Sequence, residues 1–453
     1  MQMKHSVCYD KNAEEIIRIL NQNGYEAYYV GGCVRDALMG NVPHDFDIAT
    51  NALPEQTKRI FWEKGVPVIE TGIQHGTISV LLQKQPYEIT TFRTDGEYLD
   101  HRRPESVTFV RSLKQDLARR DFTMNALAFH REEGVLDFFE GQKDLQNHVI
   151  RCVGEPETRF REDALRILRA LRFAAVLDFT IERNTAAAIH SSKELLRMVS
   201  PERICAEFSK IMMADRPSRV LREYIDVFGI FLPELLPSVG FQQNNPWHRY
   251  DVFEHTMVAL EHTPCDLPTR LAVLFHDIGK PYVYTQDSNG IGHFKGHAAL
   301  SETLAKQMMM RLKFDRKTRE TVCLLVLHHD DRIPNTPASV KRLIRRLGKQ
   351  NAIRVIQVEI ADHAAQNSAM VAPRQQEAQS IERMIHELAG QDAACITYAD
   401  LAVNGTDILE AGVPQGRQVG KILAMLLETV TEEKLPNERE ALLQFIQVNK
   451  DCL

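Results

Sequence analysis

Along the chain, short apolar runs punctuated by glycine give way near residue 160 to apolar positions at helical spacing. The runs Ala27 to Val30, Val66 to Glu70, Thr77 to Leu82 and Tyr87 to Phe92 read as strands, bounded by Gly31-Gly32, Gly72 and Gly76. From about Phe160 onward, Leu165, Leu168, Leu171 and Phe173 line up as one helix face, and prolines at 201, 217, 233 and 237 cut this region into pieces. The polar cluster Phe241-Gln-Gln-Asn-Asn-Pro246 reads as a linker. Beyond it, Asp251 to Ala365 is helical and rich in histidine, a long helix runs on to about Leu388, and Gly405, Gly412, Gly416 and Gly420 punctuate the last segment. The pattern predicts an α+β chain: a small mixed-sheet head (1–150), then an all-α neck (151–240), body (241–390) and tail (391–453).

A length of 453 residues with 44% hydrophobic and 26% charged content fits a soluble globular chain of several domains. The eight cysteines are dispersed and form no C-x-x-C pair, which predicts reduced thiols and a cytoplasmic protein. No signal-peptide pattern and no run of about 18 apolar residues is present, so no membrane partner is expected. The formal charge of −6 speaks against a uniformly basic nucleic-acid coat.

Candidate chemistry begins at Val30-Gly-Gly-Cys-Val-Arg-Asp36, followed by Asp45-Phe-Asp47. Residues two apart on a strand share a face, so Asp45 and Asp47 project together and form a site for Mg²⁺, which bridges nucleotide phosphates. Gly31 and Gly32 allow the backbone close to a triphosphate, and Arg35 supplies charge. Glu88, on the run Tyr87 to Arg93, is the candidate third carboxylate. Asp95 to Pro104 reads as a polar loop. Leu117-Ala-Arg-Arg-Asp-Phe-Thr-Met-Asn-Ala126 reads as a helix start, with Arg119 and Arg120 suited to phosphate and Asp121 and Asn125 to a ribose hydroxyl; the alternative for Asp121 is a helix cap. In a continuous helix from Phe160 to Phe173, Asp163 lies three residues before Arg166, and Arg169 and Arg172 repeat the spacing. That Asp163–Arg166 pair offers an acceptor beside a donor fork for a base edge, or is a plain surface ion pair.

The succession GGCVRD, DFDIAT, RTDGEYLDHRRP, RRDFTMNAL and REDALRILRALRF resembles the bacterial class II tRNA nucleotidyltransferases, the CCA-adding enzymes of the polymerase-β-like superfamily, over roughly residues 25 to 235. The resemblance implies that Asp45 and Asp47 bind catalytic metal, and that Gly31, Gly32 and Arg35 surround the triphosphate. Arg119, Arg120, Asp121 and Asn125 would help hold the nucleotide, and Glu162, Asp163 and Arg166 would select the base in place of a nucleic-acid template. The implied reaction is attack of a tRNA 3′-hydroxyl on the α-phosphate of CTP or ATP, with release of pyrophosphate. CC-only relatives lack the loop that Asp95 to Pro104 supplies here, which favours full CCA addition; A-only addition and a poly(A) polymerase are the alternatives within this class.

Further on, His255, His276-Asp277 within Leu274-Phe-His-Asp-Ile-Gly-Lys280, and Asp362 follow the H…HD…D order of the HD superfamily. This donor set suits a second divalent metal (Mn, Ni, Fe or Mg), and His297, His328 and His329 are candidates for another. The resemblance implies a phosphohydrolase acting on esters such as 2′,3′-cyclic phosphates, and in another class of reading that hydrolase is the main activity beside a degenerate head. A non-catalytic tRNA-binding module is the last alternative. The tail, Tyr398 to Leu423, resembles the C-terminal domain of Gram-positive-type CCA-adding enzymes, with Gly412, Gly416, Gly420, Arg417 and Lys421 expected near RNA phosphate. No stable protein partner is implied.

Charge broken down along the chain sharpens the picture. Residues 151–222 carry 14 Lys+Arg against 10 Asp+Glu, whereas 392–453 carry 5 against 10. Lys341, Arg342, Arg345, Arg346, Lys349 and Arg354 form a basic stripe between them. A local RNA track is expected, weakened by salt.

Overall fold

The computed structural model describes residues 10–73, 76–95, 107–388, 398–431 and 434–449. The chain divides into two compact units, Met1–Pro233 and Glu234–Leu453.

The first unit opens with helix α1 (Lys11–Gln22), capped by Asp10, whose carboxylate accepts from Asn12 N and Ala13 N and also from the Tyr87 hydroxyl at 2.8 Å. Then follow β1 (Ala27–Val30), α2 (Gly32–Leu38), β2 (Asp47–Thr50), α3 (Pro54–Glu63), β3 (Val68–Gly72), β4 (Thr77–Leu82), β5 (Gln85–Thr91), the short pair β6 (Arg93–Asp95) and β7 (Val107–Phe109), and α4 (Leu113–Ala118). Strands β8 (Leu127–His130) and β9 (Gly134–Asp137) complete a seven-stranded mixed sheet of order β3-β4-β5-β2-β1-β8-β9. Only β2 and β5 run parallel within it. All four residues of β1 are buried, as a central strand requires, and Tyr28, Val30, Ala49, Phe92, Leu117 and Ala128 form one core cluster.

The sheet passes through α5 (Gly141–Gln146) to α6 (Pro156–Glu162), α7 (Leu165–Leu177), α8 (Arg183–Ser192) and α9 (Pro201–Met212). A two-stranded parallel pair, Val149–Ile150 with Thr180–Ile181, straddles residue 150 and stitches sheet to helices.

Two local expectations are corrected. Leu117 to Ala126 is not a helix start: α4 ends at Ala118, Arg119 is its C-cap, and Thr123–Asn125 is a single 3₁₀ turn. The run Phe160 to Phe173 is also not one helix. Asp163 adopts an extended backbone (φ −138°, ψ 103°) between α6 and α7, and its side chain accepts from Leu165 N at 3.1 Å. A short carboxylate competes with the helical ladder for backbone donors, and here it wins.

Among its described residues the second unit is helical apart from a small hairpin, Thr285–Gln286 with Gly292–His293. The stretch Phe241 to Pro246 is not a linker. Gln243 is 2% exposed and accepts from Lys280 Nζ at 2.9 Å, while Asn245 donates to the Gly292 carbonyl. The basic stripe is split by Gly348 into helices Pro337–Leu347 and Lys349–Ala365. Arg342, Arg346 and Arg354 pair with Glu428, Asp331 and Asp266. The last helices pack on Ile408, Ile422, Leu426, Leu442 and Ile446.

Candidate active site

A cleft of about 740 Å³ in the first unit is lined by seven arginines and five aspartates, with Gly31 and Gly32 at its floor. Gly31 sits at φ +77°, and a Cβ there would stand 2.6 Å from Arg120 Nη1, so the position favours glycine on both counts. The turn it makes ends β1, whose edge is held by Gly31 N donating to the Leu127 carbonyl, and starts α2, which carries Arg35.

Asp47 is the first residue of β2; Asp45 lies just before the strand rather than on it. Parallel pairing sets Asp47 directly opposite Glu88 of β5, so the expected third carboxylate is brought beside the pair by sheet register. All three side chains belong to solvent-exposed residues. Desolvation by the surrounding atoms nevertheless raises the Asp47 carboxyl, with Arg120 pulling it down and Asp45 adding to the rise. Glu88 is raised by desolvation and then by the charges of Asp47 and Asp45. Such mutual repulsion is relieved when a divalent cation sits among the oxygens, and an all-oxygen donor set fits a hard ion.

The arginines are held by a lattice of carboxylates. Asp116, fully buried, binds Arg119 through Nε (3.0 Å) and Nη2 (2.8 Å). Arg35 Nη1 donates to Asn125 Oδ1 at 2.7 Å and its Nε to Asp36. Asp121 is saturated within the protein: Oδ2 accepts from Arg169 Nε (2.8 Å) and Nη2 (2.6 Å), Oδ1 from Phe122 N and Asn125 Nδ2. It therefore caps no helix, and it positions Arg169 and Asn125. Arg166 pairs with Glu162, four residues before it, at 2.5 Å rather than with Asp163, and its Nη2 donates to the Arg119 carbonyl. Asp163 instead accepts from Arg203 Nη2 at 2.8 Å, so the expected Asp163–Arg166 ion pair does not form. Arg172 Nε donates to Glu207 at 2.6 Å.

Four contributors escaped the sequence reading. Phe173, taken as an apolar face position, lies under Arg172 at 4.0 Å and near Arg35 at 5.1 Å. Asp116 stands three and four residues before Arg119 and Arg120, a helical spacing that could have pointed to it; Arg203 and Glu207 act from distant segments, and no local spacing marks them. The loop Asp95 to Pro104, after Asp95, lies outside the described residues.

In the second unit, His255, His276, Asp277 and Asp362 come together with ligand atoms within 4.8 Å of one another, and Asp277 also groups with His297 and His329. His328 turns elsewhere, to Asp331. In the tail, Gly412 and Gly416 take positive φ, while Arg417 and Lys421 lie on the helix Arg417–Thr431.

A mixed sheet presenting paired carboxylates beside a glycine turn, backed by an arginine-lined helical cleft, defines a nucleotidyltransferase of the polymerase-β-like kind. Family models match as the poly A polymerase head domain over residues 27–151, an RNA and SrmB-binding site of polymerase A over 178–237, and tRNA nucleotidyltransferase domain 2 over 289–446. A CCA-adding enzyme of Levilactobacillus brevis is 34% identical over 451 residues, 98% of this chain and 100% of the relative. One from Enterococcus faecalis is 51% identical over 216 residues, an alignment spanning 48% of this chain and 52% of that one. The crystal structure of the Bacillus stearothermophilus CCA-adding enzyme in complex with CTP superposes with a TM-score of 0.71 at 29% identity, covering 100% of this chain and 99% of that chain. The chain belongs to the CCA-adding enzymes.

Proposed function

We infer that the protein adds C, C and A to the 3′ end of tRNA from CTP and ATP, releasing pyrophosphate, and that the cleft of the first unit is where it does so. The observation that carries this reading is the register of β2 and β5, which sets Asp47 beside Glu88 at the mouth of a cleft lined by arginine. Asp45, Asp47 and Glu88 would hold Mg²⁺, which when bound supplies acidity to the attacking 3′-hydroxyl and charge to the departing pyrophosphate.

The remaining work belongs to the chain's own side chains. Gly31 and Gly32 leave room for the triphosphate beside the start of α2, and Arg35 and Arg120 meet its negative charge. Asn125, held by Asp121, faces Arg35 and suits the sugar. Base selection falls to Asp163 and Arg166. Asp163 and Arg166 both line the cleft, and Glu162 and the Arg119 carbonyl fix the plane of the Arg166 guanidinium. A fixed donor fork beside an acceptor matches the hydrogen-bonding edge of cytosine or adenine. Arg169 and Arg172 keep the wall cationic, braced by Asp121 and Glu207. Among the described residues no helix is long and apolar enough to cross a membrane.

The test is direct. Asp47→Ala abolishes nucleotide addition while RNA binding remains measurable; substantial surviving turnover in a purified preparation would sink the assignment. Transcripts ending before CCA, after C and after CC, each offered CTP and ATP, separate full CCA addition from A-only addition and from poly(A) synthesis.

A further inference from the structure

The second unit contains a cavity of about 690 Å³ that nucleotide transfer does not account for. Arg332, Arg342, Arg345 and Arg346 give it a cationic wall, and Ile333, Pro334, Leu343 and Leu427 give it apolar surface beside the ring of Tyr398. Among the described residues no Asp, Glu, His or Cys lines it.

Helix Pro337–Leu347 builds the cationic wall. Thr336 caps it by accepting from Ser339 N, Pro337 occupies its first turn, and Val340, Leu343, Ile344 and Leu347 are buried along it. Arg342, Arg345 and Arg346 stand three and four residues apart, so their stems leave the helix on one side. Of the other positions in the basic stripe, Arg354 is committed to Asp266, and neither it nor Lys341 nor Lys349 lines the cavity. Over half its length the stripe is thus a pocket wall rather than a continuous track.

The guanidiniums differ in how they are satisfied. Arg342 Nη1 donates to Glu428 at 3.0 Å, and Arg346 Nη2 donates to Asp331 Oδ2 at 2.9 Å, an oxygen that His328 Nδ1 also approaches at 2.8 Å. Arg345 Nη1 meets a neutral group, the Thr431 hydroxyl at 3.2 Å, on helix Arg417–Thr431. Thr431 is buried, so this contact pins a half-buried guanidinium in place without neutralising it. Among the described residues no carboxylate pairs with Arg345 or Arg332. A charge partly withdrawn from water and left without a counter-charge is costly, and an arriving anion relieves that cost. Two such groups call for an anion carrying at least two charges.

We propose that this cavity binds a nucleoside di- or triphosphate, with its phosphates on the arginines and its base against Tyr398 and the apolar wall. Guanidinium forks match phosphate oxygens, and the Tyr398 ring, 57% exposed, offers a face on which a base stacks. The volume lies in the range of pockets for small organic ligands and exceeds what a lone phosphate needs. An RNA backbone would instead call for cations spaced along an open surface, whereas these four converge on one concavity with apolar walls. Without a lining carboxylate or histidine the cavity holds no metal ligand and no acid–base group, so it binds its nucleotide without transforming it. The proposal concerns the second unit alone and does not rest on the addition reading.

Calorimetric titration of the full chain with ATP should find two sites per chain, one of them in the addition cleft. Arg345→Met should remove the other, weakening it at least about tenfold. Arg332→Ala and Tyr398→Ala, both at exposed positions where folding is not at stake, should each weaken that same site at least about fivefold. Affinity for tRNA, measured on the same preparations, should stay within about twofold. A site count unchanged by Arg345→Met, whether none, one or two, overturns the proposal, and so does ATP affinity unaffected by Arg332→Ala and Tyr398→Ala. A tRNA affinity that falls in step with ATP affinity makes the cavity a stretch of RNA-backbone contact and overturns it as well. A single site in wild type that Arg345→Met removes would uphold this proposal and count against the addition cleft, so the two readings fail separately.

Discussion

Asp121 should behave as the keystone of the cleft, and its worth can be worked from the structure. Burial pushes its carboxyl up, but Arg169 beside it, together with Asn125 and Arg166, outweighs burial and holds it at about 2. That lies below an ordinary aspartate, and at roughly 1.4 kcal/mol per unit the ionised contact contributes about 2 to 3 kcal/mol. Breaking a buried ion pair from one side typically costs about 3 to 5 kcal/mol, so the two routes agree in order of magnitude. The perturbation is Asp121→Asn, which keeps shape and one acceptor but removes the charge facing Arg169, combined with Arg169→Met in a double-mutant cycle. Hydrogen exchange of the slowest amides in β1 and β8 reads the opening free energy of the first unit alone. The coupling should be about 2 kcal/mol at neutral pH. Because the folded pKa is depressed, the contribution is complete above the unfolded value and is lost as pH falls toward about 2; by about pH 3 roughly half remains. A coupling under about 0.5 kcal/mol at neutral pH, or one that does not shrink in acid, would refute the reasoning.

Other consequences are quicker to check. Gly31→Ala should cost about 1 to 2 kcal/mol through its positive φ and raise the KM for nucleotide by displacing Arg120; an unchanged KM would show that the turn tolerates a side chain. At limiting Mg²⁺, raised carboxyls at Asp47 and Glu88 should make activity fall at a higher pH than ordinary aspartate and glutamate would dictate, and Glu88→Gln should move the acid limb of the pH–rate profile lower while cutting the rate; coincident limbs in wild type and variant would remove Glu88 from the metal-binding set. Phe173→Leu, which removes the ring beneath Arg172 and Arg35, should weaken nucleotide binding with about 0.5 to 1 kcal/mol of lost cation–π contact per arginine, visible as a KM effect larger than the kcat effect. Gln243→Leu should destabilise the second unit by about 1 to 3 kcal/mol because it leaves the buried Lys280 ammonium short of an acceptor; a neutral effect would return Phe241 to Pro246 to the status of a linker.

Much of this molecule can be read along the chain. The strands at 27–30 and 77–82 are legible because alternating or fully apolar runs abut glycines, Gly31 after the first and Gly76 before the second, and the acidic pair at 45 and 47, the Gly31-Gly32 turn and the His276-Asp277 pair are legible because their chemistry lies in adjacent residues. What tertiary structure decided lies between segments. The pairing of Asp47 with Glu88 depends on the parallel register of strands separated by two others in sequence. Helical spacing leaves Arg166 two acceptors, Asp163 and Glu162; with the Asp163 carboxylate bonded to Leu165 N and Arg203, Glu162 is the partner. Glu207 and Arg203 hold the cleft from positions without any motif, and Gln243 is buried where it accepts from Lys280. Local sequence specifies which groups are present and which short elements they favour. Which acceptor meets which donor is fixed only when packing removes water and each buried charge must find its partner.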